Sequence, residues 1–153
     1  MSSIWYPQRV NHREQFFQQL SQQRRPQVPD RAAFRQSWLE NLQDLFDRID
    51  VWLTPAKGLG LSVERQEFAL EEEDLGNYIF VGRSLRLPDG RSIVIKPVAA
   101  AVVGALGRVD MICGVRRVTL LLTPNGWVVA KRSGAEALNE DHFFAALSEL
   151  SAR

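Results

Sequence analysis

The sequence contains a single cysteine, Cys113, and this scarcity limits what can hold the fold together. One thiol cannot form an intrachain disulfide, so the fold must rest on packing. A chain of 153 residues, 45% of them hydrophobic, is long enough to bury a core of its own. A lone cysteine also fits a reducing compartment. The N-terminus lacks the basic and apolar regions of a signal peptide, and together these features predict a cytoplasmic protein.

Long apolar runs are missing as well. The most apolar stretch, Pro97 to Leu106, is too short to span a bilayer and is rich in small residues. We therefore expect no membrane partner.

Residues that commonly carry catalysis are few. The only histidines are His12 and His142, and each falls in the first turn of a predicted helix. Cys113 lies in a strand-like run, where a small buried hydrophobic residue is the ordinary interpretation. The chain also lacks the Gly-x-Ser-x-Gly pattern of a nucleophile elbow. The sequence predicts no catalytic residues, although a small enzyme with a site assembled from scattered residues remains an alternative.

Metal and cofactor motifs are absent in their specific forms. Two isolated histidines and one cysteine do not have zinc-site spacing. The acidic run Glu71–Asp74 lacks the calcium-loop pattern and is interpreted as a solvated loop. Gly58–Gly60 lacks a third glycine, and Gly104–Gly107 lacks the lysine and hydroxyl of a phosphate-binding loop. We predict no metal and no cofactor.

Two helices are predicted first. Asn11 caps a short helix that ends near Gln23, and residues 25–29 form a stiff proline-rich break. Asp30 caps a second helix that ends at about Leu53, before Thr54-Pro55. Its apolar residues recur at spacings of three and four, which is typical of a buried helix face: Phe34, Trp38, Leu42, Leu45, Phe46, Ile49 and Leu53.

From Leu61 the apolar period shifts toward two, which predicts five or six strands. Their ranges are Leu61–Leu70, Tyr78–Leu87, Arg91–Val98, Arg108–Cys113, Val115–Thr123 and Trp127–Arg132. Asp89-Gly90 and Asn125-Gly126 are typical of tight hairpins and imply antiparallel pairing. A last helix begins near Asn139 and carries Phe143, Ala146, Leu147 and Leu150 on one face. The order predicts a single α+β domain over residues 1–153, with an N-terminal arm (1–29) and a main body (30–153).

Charge is segregated along the chain although the net charge is only +1. Six acidic residues and one arginine lie between Glu64 and Asp74, whereas nine basic and two acidic residues lie between Gly82 and Arg132. Such segregation can mark a binding face, or the two segments can neutralise each other in the fold. Arg108 and Asp110, two residues apart, would share one face of a strand and pair.

The basic excess supports one functional alternative. Antiparallel pairing would bring four basic residues to one end of the sheet, where they could contact phosphates: Arg116, Arg117, Lys131 and Arg132. The aromatic residues that single-strand binders use for base stacking are sparse in this region. Nucleic-acid or phosphate binding is therefore the second interpretation.

The leading interpretation is a non-enzymatic protein-interaction or adaptor domain. The N-terminal arm is rich in glutamine and carries aromatic and apolar residues that could contact a partner: Trp5, Phe16, Phe17 and Leu20. A helix this short is marginal alone in water, so it must dock on something. The partner would be another protein or a second copy of the chain.

Overall fold

The computed structural model describes residues 11–24, 31–73, 75–100 and 105–152. Three helices and seven strands follow one another along these residues. They are α1 (His12–Arg24), α2 (Arg31–Lys57), β1 (Ser62–Glu72), β2 (Gly76–Arg86), β3 (Ser92–Ala99), β4 (Gly107–Cys113), β5 (Arg116–Thr123), β6 (Gly126–Lys131), β7 (Gly134–Ala137) and α3 (Glu140–Ser151). Trp5, the Asp30 cap and the proline-rich break lie outside the described residues.

The strands form one antiparallel sheet in the order β1-β2-β3-β4-β5-β6-β7, and each strand pairs with the next in the chain. The α+β prediction is therefore confirmed, and β1 to β6 correspond to the six predicted strands. The count of five or six was too low, because β7 was missed. This strand is only four residues long, has small residues at three of its positions and pairs on one side with β6. Such a strand lacks the bulky alternation that predicts strands.

The core lies between one face of the sheet and α2 with α3. Six residues of the predicted α2 stripe are at most 2% exposed: Trp38, Leu42, Leu45, Phe46, Ile49 and Leu53. Phe143 of α3 is also fully buried and packs against Trp52, at 5.3 Å between ring centroids. Phe34 is 40% exposed, so its place in the buried stripe was wrong. Phe34 lies one helical turn before Trp38. Trp38 already contacts Trp127 and Gly107, which lie at the ends of β6 and β4.

The helix α2 continues past the predicted end at Leu53 and includes Pro55. Proline lacks the N–H that would bond to the carbonyl four residues earlier, that of Val51. Val51 is 70% exposed, so water can satisfy that carbonyl. The fixed φ of proline is compatible with a helix, and the helix therefore runs one turn further than the proline predicted.

The first hairpin twists strongly along its length. In β2 the buried positions are Tyr78 and Phe80 in the outer half and Arg83 and Leu85 in the inner half, so the buried alternation changes phase between them. Only the inner half pairs with β3. Gly82 lies at the change, where a Cβ atom would be 2.5 Å from the Ile95 carbonyl oxygen. The outer half thus packs over α2 instead of continuing the flat sheet.

A second glycine makes room for the largest side chain of α2. A Cβ atom on Gly107 would lie 2.1 Å from the Trp38 ring, a separation that no side chain tolerates. Trp38 also packs on Trp127, at 6.1 Å between ring centroids. The indole is therefore seated on the backbone of β4 and fixes the position of α2 on the sheet.

The meander places alternate turns at the same end of the sheet. The turns β2–β3, β4–β5 and β6–β7 share one end, and the basic residues in or beside them define what we call the basic end: Arg86, Arg91, Arg116, Arg117, Lys131 and Arg132. No helix in the described part of the chain has the length and apolar character needed to cross a bilayer.

Candidate interaction site

Helix α1 carries three large apolar side chains that remain open to solvent. Asn11 caps the helix as predicted, because its Oδ1 accepts hydrogen bonds from the backbone N–H groups of Arg13 and Glu14. Phe16, Phe17 and Leu20 are 55%, 50% and 41% exposed. Within the described residues, every hydrogen bond and ring contact of α1 is internal to this helix. The helix thus presents an apolar patch that its own domain leaves uncovered.

The four residues predicted to contact phosphate lie at one end of the sheet but take different roles. Arg116 donates to the Glu149 carbonyl oxygen at 3.0 Å and also to that of Ala152, so it caps the C-terminus of α3. Arg117 faces Asp110 at 3.4 Å, and Lys131 pairs with Glu136 at 3.0 Å. Arg132 has no ion pair within the described chain. Three of the four are therefore engaged internally.

Among the described residues, no ion pair joins the acidic segment to the basic one. The ion pairs of the described residues lie in other parts of the chain, and none of them involves a glutamate of β1. Glu64, Glu67 and Glu71 are exposed on this edge strand, where charge discourages pairing with a strand of another molecule. The interpretation of Glu71–Asp74 as a solvated loop was wrong for Glu71 and Glu72, which end β1; Glu71 is exposed, whereas Glu72 is half-buried.

Glu72 belongs to a hydrogen-bond network that links the buried Trp38 to the edge of the core. Trp38 Nε1 donates to Tyr78 Oη at 2.9 Å, and this hydroxyl in turn donates to Glu72 Oε2. Glu72 Oε1 accepts from the backbone N–H of Ala100 at 2.7 Å. Burial, together with the bond to Glu72, raises the pKa of Tyr78. Each polar group in this network has a partner, so these hydrogen bonds stabilise the fold and fix Ala100 just after the end of β3.

A buried ion pair joins the sheet to α2. Arg83 is 3% exposed and donates to both carboxylate oxygens of Asp50 at 2.8 Å, and its guanidinium also bonds to two backbone carbonyl oxygens. The hydrogen bond from Arg83 lowers the pKa of Asp50, against the opposing effect of burial. This pair could not be predicted from spacing along the chain, because the partners are 33 residues apart.

A second charged cluster lies on the face of the sheet opposite the helices. Asp110 is 3% exposed and accepts a forked pair of hydrogen bonds from Arg108, at 2.9 and 3.1 Å. The bond to Asp110 raises the pKa of Arg108. This confirms the pair predicted from the spacing of two. Thr119 donates to the same carboxylate at 3.1 Å. On the other side of β4, Lys96 of β3 is the cross-strand partner of Asp110.

The residues that the structure describes do not form an assembled catalytic site. Cys113 is 7% exposed and makes no hydrogen bond to either histidine. His142 Nδ1 lies 2.6 Å from the Ala137 carbonyl oxygen, beside the Asn139 cap of α3. No three histidine, cysteine or carboxylate side chains converge on a metal position there.

A hollow of about 460 Å³ beside Cys113 is lined by Arg91, Arg116 and Leu150. Its arginines are already bonded to the last carbonyl oxygens of α3, Arg91 at 2.7 Å from that of Ser151. The two arginines that line the hollow therefore help to hold α3 on the sheet.

Compared with known proteins, the chain matches no family model, no curated protein and no solved structure. Its function has to be inferred from its own surfaces.

Proposed function

We propose that this chain is a non-enzymatic protein-interaction domain, acting in the cytoplasm, whose α1 helix docks on a partner protein. One observation carries the proposal: Phe16, Phe17 and Leu20 stay 41–55% exposed although the core is complete without them. The buried face of α2 is already covered by the sheet and α3, with Leu42, Leu45 and Phe46 fully buried. A short helix gains its stability from such a docked apolar face.

The spacing of the apolar side chains on α1 supports a specific contact with a partner. Phe16 and Phe17 lie one helical turn before Leu20, and exposed aromatic and leucine side chains at this spacing can anchor a helix in an apolar groove of a partner. Arg13 lies over the Phe17 ring, at 5.3 Å from its centroid, and gives the patch a charged border. The partner is either a second copy of the chain or a different protein, and the mass in solution distinguishes the two.

Deleting residues 1–24 should separate assembly from stability. We expect a full-length dimer, measured by light scattering, to become a folded monomer with an unchanged melting temperature, because α1 contributes nothing to the described core. The double variant Phe16→Ser with Phe17→Ser should behave in the same way.

The matched control is Val51→Ser with Leu59→Ser, which removes two apolar side chains that are also exposed, by 70% and 83%, outside the arm. It should leave the mass unchanged. A full-length monomer that melts at lower temperature after the deletion would contradict the proposal, since the arm would then belong to the core.

A second candidate function is phosphate-backbone binding through the basic end. The favouring observation is that the meander adds Arg86 and Arg91 to the four residues predicted there. Arg86 and Arg132 are exposed and have no ion pair within the described chain, so they are the donors best able to reach a polyanion.

Heparin chromatography tests this second function. If the basic end binds polyanions, the protein is retained at low salt, and Arg86→Glu with Arg132→Glu removes the retention. These positions are preferable to Arg116 and Lys131, whose internal contacts would confuse lost binding with lost stability. Retention that survives both changes would rule out the basic end as the binding surface.

A further inference from the structure

Among the described residues, one face of the sheet carries neither α2 nor α3. Helices α2 and α3 pack on the side of Met111 and Leu120, whereas Asp110 and its partners point to the other side. We call this other side the open face. Its central part, on β3, β4 and β5, contains Lys96, Arg108, Asp110, Arg117 and Thr119.

The cluster on the open face is organised around one carboxylate. Asp110 is enclosed by Arg108 on its own strand and by Arg117 and Thr119 on β5. The forked hydrogen bonds hold the Arg108 guanidinium in place, whereas Arg117 contributes an ion pair at 3.4 Å. Each guanidinium has five N–H donors, and Asp110 occupies only the nearest of them. The Arg108 donors that Asp110 leaves unused and the exposed Arg117 guanidinium remain available at the surface, which is an arrangement that favours binding of an oxyanion.

The cluster carries an excess of positive charge. Lys96, Arg108 and Arg117 face a single carboxylate, and Lys96 forms no ion pair within the described chain. Arg117 is 56% exposed, so part of its charge is directed at solvent. An acidic group that approached this face would meet the surplus charge.

Apolar side chains surround the cluster. Val94, Ile112 and Leu121 lie on the same face by their register with the charged residues, and each is half-buried. A partner would therefore need apolar residues beside its acidic ones. No aromatic side chain lies among the described residues of this central patch, so it offers no stacking platform for nucleic-acid bases.

A second copy of the chain does not fit this face. Two open faces brought together by a two-fold axis would place their basic clusters opposite each other, and like charges would repel. Docking the acidic edge strand β1 of another copy would be a head-to-tail contact that does not close into a dimer.

We propose that the open face is a docking site for an acidic, partly apolar segment of a different protein, held by Lys96, Arg108 and Arg117. This surface lies on β3 to β5 and is independent of the patch on α1. Asp110 acts as the positioning residue that orients the two arginines.

Fluorescence anisotropy with a labelled oligoglutamate peptide tests the site in the full-length protein at low salt. Lys96→Gln and Arg117→Gln should each weaken binding by about threefold, and the two together by about tenfold, because the contacts are partly exposed and independent. Arg108 is retained in these variants so that Asp110 keeps a partner and the fold survives. The control Lys57→Gln removes an equal charge from an exposed position at the C-terminal end of α2, away from the open face, and should leave affinity unchanged.

Amide chemical shifts locate the contact independently of affinity. On titration with oligoglutamate, the largest shifts should fall on Lys96, Ile112 and Leu121. Absence of binding, equal loss in the Lys57→Gln control, or shifts confined to the turns of the basic end would each overturn the proposal. Tighter binding of an oligothymidylate of equal charge would also overturn it, in favour of a nucleic acid.

Discussion

Replacing Trp38 with alanine should lower the free energy of unfolding by about 3–5 kcal/mol, the range for removing a buried aromatic side chain. The indole is 2% exposed, contacts Trp127 and donates to Tyr78, so truncation leaves a cavity and removes one of the two hydrogen bonds of the Tyr78 hydroxyl. Denaturant unfolding followed by circular dichroism measures the change. Trp38→Phe, which keeps most of the ring but loses the N–H, should cost about 1–2 kcal/mol.

The close fit of Trp38 on Gly107 provides a compensating variant. Gly107→Ala alone should destabilise the protein, because its methyl group would lie 2.1 Å from the indole. In the Trp38→Ala background the same change enters the vacated space and should be tolerated. Equal costs of Gly107→Ala in both backgrounds would show that the indole is not seated on β4 as described.

Replacing Asp50 with asparagine should destabilise the protein by about 3 kcal/mol at neutral pH, near the lower end of the range for breaking a buried pair. The reason is that Arg83, only 3% exposed, would keep its charge without a counter-charge. Asp50 is 34% exposed, which limits the effect. The double variant Asp50→Leu with Arg83→Met should be more stable than Asp50→Asn, since it leaves no buried charge.

The same pair predicts a pH dependence with a definite sign. Arg83 lowers the pKa of Asp50 in the folded state, so the carboxylate stabilises the fold above its unfolded pKa of about 4. That contribution is lost as the pH falls through the folded value. The difference in unfolding free energy between the native protein and Asp50→Asn should therefore be largest at pH 7 and shrink at pH 3. A difference that stays constant with pH would contradict the role of the ion pair.

Local patterns predicted most of the fold. The stripe of α2 and the alternation of β1 to β6 are repeated signals, and packing on one face confirms them. The patterns failed where a side chain lay at the end of an element, as with Phe34, or where a strand was held by its neighbour's backbone, as with β7. Proline at position 55 predicted a helix end, but an exposed last turn tolerates the missing hydrogen bond.

The sites were less predictable because they depend on register. Arg108 and Asp110 could be paired from their spacing along one strand, whereas Arg117 and Thr119 join them only through the pairing of β4 with β5. Arg116 and Arg117 are neighbours in sequence, yet one caps α3 and the other faces Asp110. Their separation follows from the alternation of a strand, which a count of basic residues ignores.

The neighbour-to-neighbour order of the sheet also has a kinetic consequence. Each strand pairs with the next strand in the chain, and only a short connection joins the two. The sheet can therefore assemble by successive hairpins without first closing a long loop. Low sequence separation between contacting residues is associated with fast folding. We therefore expect the docking of α2 to be the late and slower step, because Trp38 must reach β6, whose Trp127 is far away in the chain.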